Sequence, residues 1–128
     1  MVQKPKIGIM QGRLSKSHEN KIQAFPNLTW REEFEIASKI GFETIEWIFD
    51  DLQPNPIQNN DGIKEIGQLM EKNDISINSI CADYFMTKKL FNESQFQLGK
   101  NIEELKKLII QANKLEISMI EIPLVDSS

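Results

Sequence analysis

The feature that most constrains this chain is a unit that recurs three times: a helix end, a short turn, then a strand. Residues 39–46 (KIGFETIE), 71–78 (EKNDISIN) and 114–121 (KLEISMIE) share that plan, at spacings of roughly 30 to 45 residues, the size of a βα unit. Strict alternation of strand and helix implies a parallel sheet joined by right-handed crossovers.

The pattern predicts strands over residues 6–11, 43–49, 75–82 and 117–125, with a helix in each interval; a polar loop through Leu28 follows the first strand, and a loop around Asp83 to Asn92 follows the third. Thr29 and Glu32 are spaced as a capping box, and Trp30, Phe34, Ala37 and Ile40 form an apolar stripe behind it. Gly41 follows, where a left-handed helix terminus favours a residue without Cβ. The turn-rich segment 50–56 introduces a second helix carrying Ile63, Ile66, Leu69 and Met70 and ending near Asn73. Ser94 and Gln97 are spaced to cap a third, with Ile102, Leu105, Leu108, Ile109 and Ala112 as its stripe. On that helix Glu103, Glu104, Lys106 and Lys107 read as an exposed, ion-paired face.

Two architectures satisfy this alternation: an open doubly wound sheet and a (β/α)₈ barrel. No GxGxxG or GxxxxGK[ST] follows any strand, which removes the usual anchor of the dinucleotide and P-loop folds. The 128 residues are about half of a typical (β/α)₈ barrel. The expected fold is therefore α/β, the N-terminal half of a (β/α)₈ barrel: four parallel strands, three crossover helices, one partial domain over residues 1–128. The fourth strand has no covering helix after it, so truncation behind that strand is expected.

A formal charge of −4 without a dense basic stripe argues against nucleic acid as a partner. Cys81 is the only cysteine, so no intramolecular disulfide or CxxC pair can form, and the N-terminal residues are neither a signal peptide nor a membrane span. A cytoplasmic protein without membrane partners is expected.

In a barrel, chemistry gathers where the strands end and the βα loops begin. Gln11 and Arg13 follow the first predicted strand, Glu46 and Asp50 lie in or after the second, Asp83 follows the third, and Asp126 with Ser127 follows the fourth. Each alone is more readily a turn or cap residue, and Arg13 more readily a loop salt bridge than an anion contact. Glu46 differs, since it sits between Ile45 and Trp47, where a carboxylate is costly unless it is paired or functional. His18 reads as solvated, Cys81 as packing, and Trp30 and Trp47 as core.

The segments 7–14 (IGIMQGRL), Trp30 with Glu33 and Phe34, 40–46 (IGFETIE) and 79–86 (SICADYFM) resemble the xylose isomerase-like sugar isomerases and epimerases. The resemblance implies a sugar or sugar-phosphate substrate with Glu46 near it and the Gln11–Arg13 stretch shaping the first loop; with the strand-end positions, the candidate substrate contacts are Glu46, Gln11, Arg13, Asp83 and Asp126. It also implies a divalent metal, Mg²⁺ or Mn²⁺, whose ligands belong to later strands, so that it binds only a complete barrel and this chain alone is inactive. Glu116 departs from the pattern, standing where Gly41 stands in the first unit. Two other readings remain: a non-catalytic half-barrel that binds a small polyol or self-associates through its strand edges, and a phosphodiesterase- or endonuclease-like barrel.

Overall fold

The computed structural model describes residues 4–16 and 18–125, with only the backbone of His18. Four short strands form one parallel sheet: β1 (Gly8–Met10), β2 (Thr44–Ile48), β3 (Ser79–Cys81) and β4 (Met119–Glu121). Their spatial order is their chain order. The long connections are α1 (Trp30–Ile40), α2 (Asn60–Asn73) and α4 (Gln95–Lys114), and a single-turn helix, α3 (Tyr84–Thr87), lies in what the sequence reads as a loop. The expected α/β architecture with a four-stranded parallel sheet is present.

The strands are shorter than their apolar runs. Gly12, at φ +83°, turns the chain out of β1, and Pro123 has no N–H to continue β4. Along β3 the pairing starts with a bridge between Thr44 and Ser76 and resumes with Trp47 opposite Ile80, so β3 carries one extra residue.

The three helix-to-strand junctions are built alike. Gly41, Asp74 and Glu116 all sit in the left-handed region, at φ +106°, +52° and +58°. Each is followed by the same closing bond, from Phe42 to Ala37, Ile75 to Met70 and Ile117 to Ala112, all N–H to carbonyl at 3.0 Å. This is the Schellman closure, which satisfies a carbonyl left over at the helix end. Only the first unit uses glycine for it.

Residues paired across the ladder share a face. Ile9, Ile45, Trp47, Ile80 and Ile120 lie on one side; Met10, Thr44, Glu46, Ile48, Ser79, Cys81, Met119 and Glu121 lie on the other. On the first side Ile45, Trp47 and Ile80 join a continuous buried cluster with Phe34 and Ala37 of α1, Ile66 of α2, and Leu108 and Ala112 of α4. Trp30 and Trp47 are core, as expected, with ring centroids 5.6 Å apart. The second side is buried only at Ile48 and Cys81, and Met119 is 58% exposed.

Three local expectations are corrected. Thr29 precedes α1 without a side-chain cap: its backbone, at φ −127° and ψ 5°, is not in the extended conformation usual for an N-cap, and its hydroxyl donates to Ser15 Oγ at 2.8 Å. The loop after β1 is not uniformly polar, since Phe25 is fully buried against Trp47 at 5.5 Å. On α4, Ile102 and Ile109 are exposed while Asn101 and Gln111 are buried. Those two amides are satisfied: Asn101 donates to Lys89 O at 2.7 Å and accepts from Gln97, and Gln111 donates to Ile57 O at 3.0 Å. The Ser94 hydroxyl does cap α4, accepting from Gln97 N–H at 3.2 Å, and the Glu103–Lys106 and Glu104–Lys107 pairs form. No helix among the described residues is long and apolar enough to cross a membrane.

Candidate functional site

The side of the sheet away from the buried cluster gathers acidic groups from three adjacent strands. Glu46 of β2, Cys81 of β3 and Glu121 of β4 bring one ligand-type atom each to within 4.8 Å of one another. Asp83, just after β3, adds a third carboxylate, its Oδ1 3.3 Å from Cys81 Sγ. Ser79 donates its hydroxyl to Glu46 Oε2 at 2.6 Å. Gln23, from the loop after β1, donates to Asp83 Oδ2 and lies 3.6 Å from the Cys81 sulfur. Beside Glu46 the surface opens into a hollow of about 280 Å³ lined by Gly8, Met10, Thr44, Glu46, Asn78 and Ser79. Gly8 is required there, because a Cβ at that position would lie 1.9 Å from Thr44 Oγ1.

Cys81 cannot serve as a nucleophile in this setting. Burial pushes its thiol well above the ordinary value, and the hydrogen bond to Asp83 and the charges of Asp83, Glu121 and Glu46 push it further. A protonated thiol is unreactive. Its single proton serves one carboxylate at a time, Asp83 at 3.3 Å or Glu121 at 3.9 Å.

Of the residues singled out in the sequence, Glu46 and Asp83 meet around Cys81. Gln11 stands next to them in the sheet but is differently occupied. Its backbone N–H donates to Glu46 O at 3.0 Å, and its buried side-chain oxygen accepts from Ile48 N–H at 2.8 Å. That bond fixes the amide orientation and leaves Gln11 Nε2 buried without an acceptor. Arg13 is exposed and does not join the cluster. Asp50 holds the loops: its two oxygens accept from Phe25 and Leu52 N–H. Asp126 and the His18 side chain lie outside the described residues.

Sequence reasoning missed Glu121, Gln23 and the part played by Cys81. A signal for Glu121 was present, since it and Glu46 occupy the same last position of the repeated unit. In the middle unit that position is Asn78, and the extra residue in β3 brings Ser79 opposite Glu46 instead. Glu33 was also missed as an organiser: its buried carboxylate accepts from Gly12 N–H, Leu14 N–H and the Ser15 hydroxyl, which shapes the first βα loop.

The described residues do not fit the hard divalent metal that the family resemblance implies. Mg²⁺ and Mn²⁺ take oxygen ligands, whereas this cluster places a soft, buried thiol between its carboxylates. What the arrangement offers is a set of hydrogen-bond acceptors, with Ser79 and Gln23 orienting two of them.

Comparison with known proteins adds no family: no family model and no curated protein matches this chain.

Proposed function

We propose that this chain is the first half of a (β/α)₈ barrel of the sugar isomerase and epimerase type, and that the side of its sheet bearing Glu46 binds a polyhydroxylated small molecule. The convergence of Glu46, Asp83 and Glu121 on one side of three neighbouring parallel strands carries this reading. A parallel sheet whose strands follow chain order, with one side packed against the helices through the apolar cluster and the other side polar, supports the half-barrel. In a closed barrel that other side is the interior, and the strand ends are where substrates meet the protein.

Sugar hydroxyls donate well to carboxylates, and such charge-assisted bonds are roughly twice as strong as neutral ones. Glu46, oriented by Ser79, holds one hydroxyl; Asp83, oriented by Gln23, and Glu121 hold others. Moving a proton next to a carbonyl needs a carboxylate base placed against that carbon, together with a donor for the developing oxyanion. Glu46 is the candidate base, and the oxyanion donor belongs to the strands that complete the barrel. The chain alone therefore binds without turning over.

A phosphodiester ligand is disfavoured, because three carboxylates repel it.

Calorimetric titration with a panel of aldoses, ketoses and their phosphates tests the proposal. Millimolar binding is expected, weakened about tenfold in Glu46→Gln, the equivalent of one charge-assisted hydrogen bond. A panel without any binder, or binding indifferent to Glu46→Gln, would overturn it.

A further inference from the structure

We infer that Gln23 determines the ligand charge this site accepts: it places a neutral amide where a cation would admit a phosphate, and so restricts the ligand to an uncharged polyol. The inference rests on the reading of the polar side as a polyol site and deepens it by naming the class of polyol.

Gln23 is held in place by the residues that follow it. Ala24, Phe25 and Pro26 are buried, Phe25 N–H donates to Asp50 Oδ2 at 2.8 Å, and the Phe25 ring packs against Trp47. Lys21 and Ile22, just before it, are exposed. From this anchored backbone the half-buried Gln23 side chain reaches the end of β3, where its Nε2 donates to Asp83 Oδ2 and lies 3.6 Å from Cys81 Sγ. An ionised carboxylate only accepts, so the amide must present its nitrogen to Asp83 and turn its oxygen away. Among the described residues no donor reaches that oxygen. Gln23 Oε1 is therefore an acceptor beside Asp83 that carries no charge.

The three carboxylates differ in what already engages them. Asp83 has both oxygens occupied, Oδ1 by the Cys81 thiol at 3.3 Å and Oδ2 by Gln23. Glu46 has one, through Ser79, and the thiol lies 3.9 Å from Glu121. All of these donors are neutral, so they orient the carboxylates and leave their charge in place. A phosphate on the ligand then meets uncompensated like charge, whereas sugar hydroxyls find acceptors at Glu46, Glu121 and Gln23 Oε1. Position 23 decides this balance because a lysine there has the length to pair with Asp83 from the same backbone. Glutamine makes the same contact without the charge. Such selectivity is a difference between two affinities, set as much by repulsion of the wrong ligand as by attraction of the right one.

Calorimetric titration with aldoses and ketoses, each set beside its own phosphate monoester, tests this in the parent chain and in two variants. The parent should prefer the free sugar by about tenfold. Gln23→Lys should erase or reverse that preference by gaining affinity for the monoester. Gln23→Glu, of nearly the same shape, should widen it, and it decides the matter if the lysine variant does not fold. A parent chain that binds the monoester as tightly as the free sugar, or a preference that the exchanges leave unmoved, would overturn the inference. Sugar binding that still weakens in Glu46→Gln alongside such an unmoved preference would leave the reading of the site intact, whereas binding of neither form would overturn both.

Discussion

The two sides of one sheet have taken opposite courses from the same strands. On one, Ile45, Trp47 and Ile80 are at most 1% exposed and join the apolar stripes of three helices. On the other, Glu46, Ser79 and Glu121 keep access to solvent, and Cys81 is buried among carboxylates. Alternation along a strand lets successive residues serve different ends, stability with one and recognition with the next. Among the described residues no lysine or arginine forms an ion pair with Glu46, Asp83 or Glu121. A cluster of like charges without a cation contributes little to folding, so its residues should be removable while those opposite are not.

The largest expected effect breaks or confirms that contrast directly. Trp47→Ala should cost about 3–5 kcal/mol in urea unfolding, by loss of burial and creation of a cavity, while Glu46→Gln and Glu121→Gln should each change stability by less than about 0.5 kcal/mol. Equal losses on the two sides would remove the distinction.

Next in size is a backbone contact supporting the covered side. A Cβ at Gly62 would lie 1.8 Å from Pro56 O, where the first turn of α2 presses on the 3₁₀ turn Pro56–Gln58. Gly62→Ala should therefore cost about 1–3 kcal/mol, the usual penalty of overpacking. A neutral result would mean that this contact is loose.

The polar side should reveal itself through pH. Cys81 is raised above its ordinary value of 9.0 in the folded protein, chiefly by burial. The unfolded thiol then ionises first, so stability is intact below pH 9 and falls as pH rises beyond it, at up to about 1.4 kcal/mol per pH unit. Cys81→Ala should flatten that slope. A native thiol that reacts quickly with alkylating reagents at neutral pH would contradict the assignment.

The smallest effect separates strain from function at the repeated junctions. Glu116 occupies a left-handed position that Gly41 fills without a Cβ. Glu116→Gly should gain up to about 1 kcal/mol, less what glycine costs in chain entropy. A loss would show that the Glu116 side chain stabilises the turn.

Much of the covered side was legible in the sequence, because the repeated unit, the helical stripes and the alternation of Ile45, Trp47 and Phe49 all point to one fold. The shortfalls have physical causes. Capping of α1 by Thr29 failed because its ψ of 5° departs from the extended N-cap conformation, a backbone setting that residue spacing does not reveal. The α4 stripe shifted towards Asn101 and Gln111 because carbonyls of Lys89 and Ile57 satisfy those amides, a tertiary arrangement that periodicity cannot see. At the site, Glu46 was marked by its apolar neighbours, whereas Cys81 between Ile80 and Ala82 looks like packing until three strands align. The extra residue in β3, which exchanges Asn78 for Ser79 at the site, leaves no local trace.

Methyl-resolved NMR during addition of a polyol identified by the calorimetric panel tests the central claim most directly. The Met10 and Met119 methyls, on the side bearing Glu46, should shift with a common binding curve while those of Ile45, Ile80 and Ile66 stay in place. Shifts centred on Ile45, Ile80 and Ile66, with Met10 and Met119 silent, would contradict it.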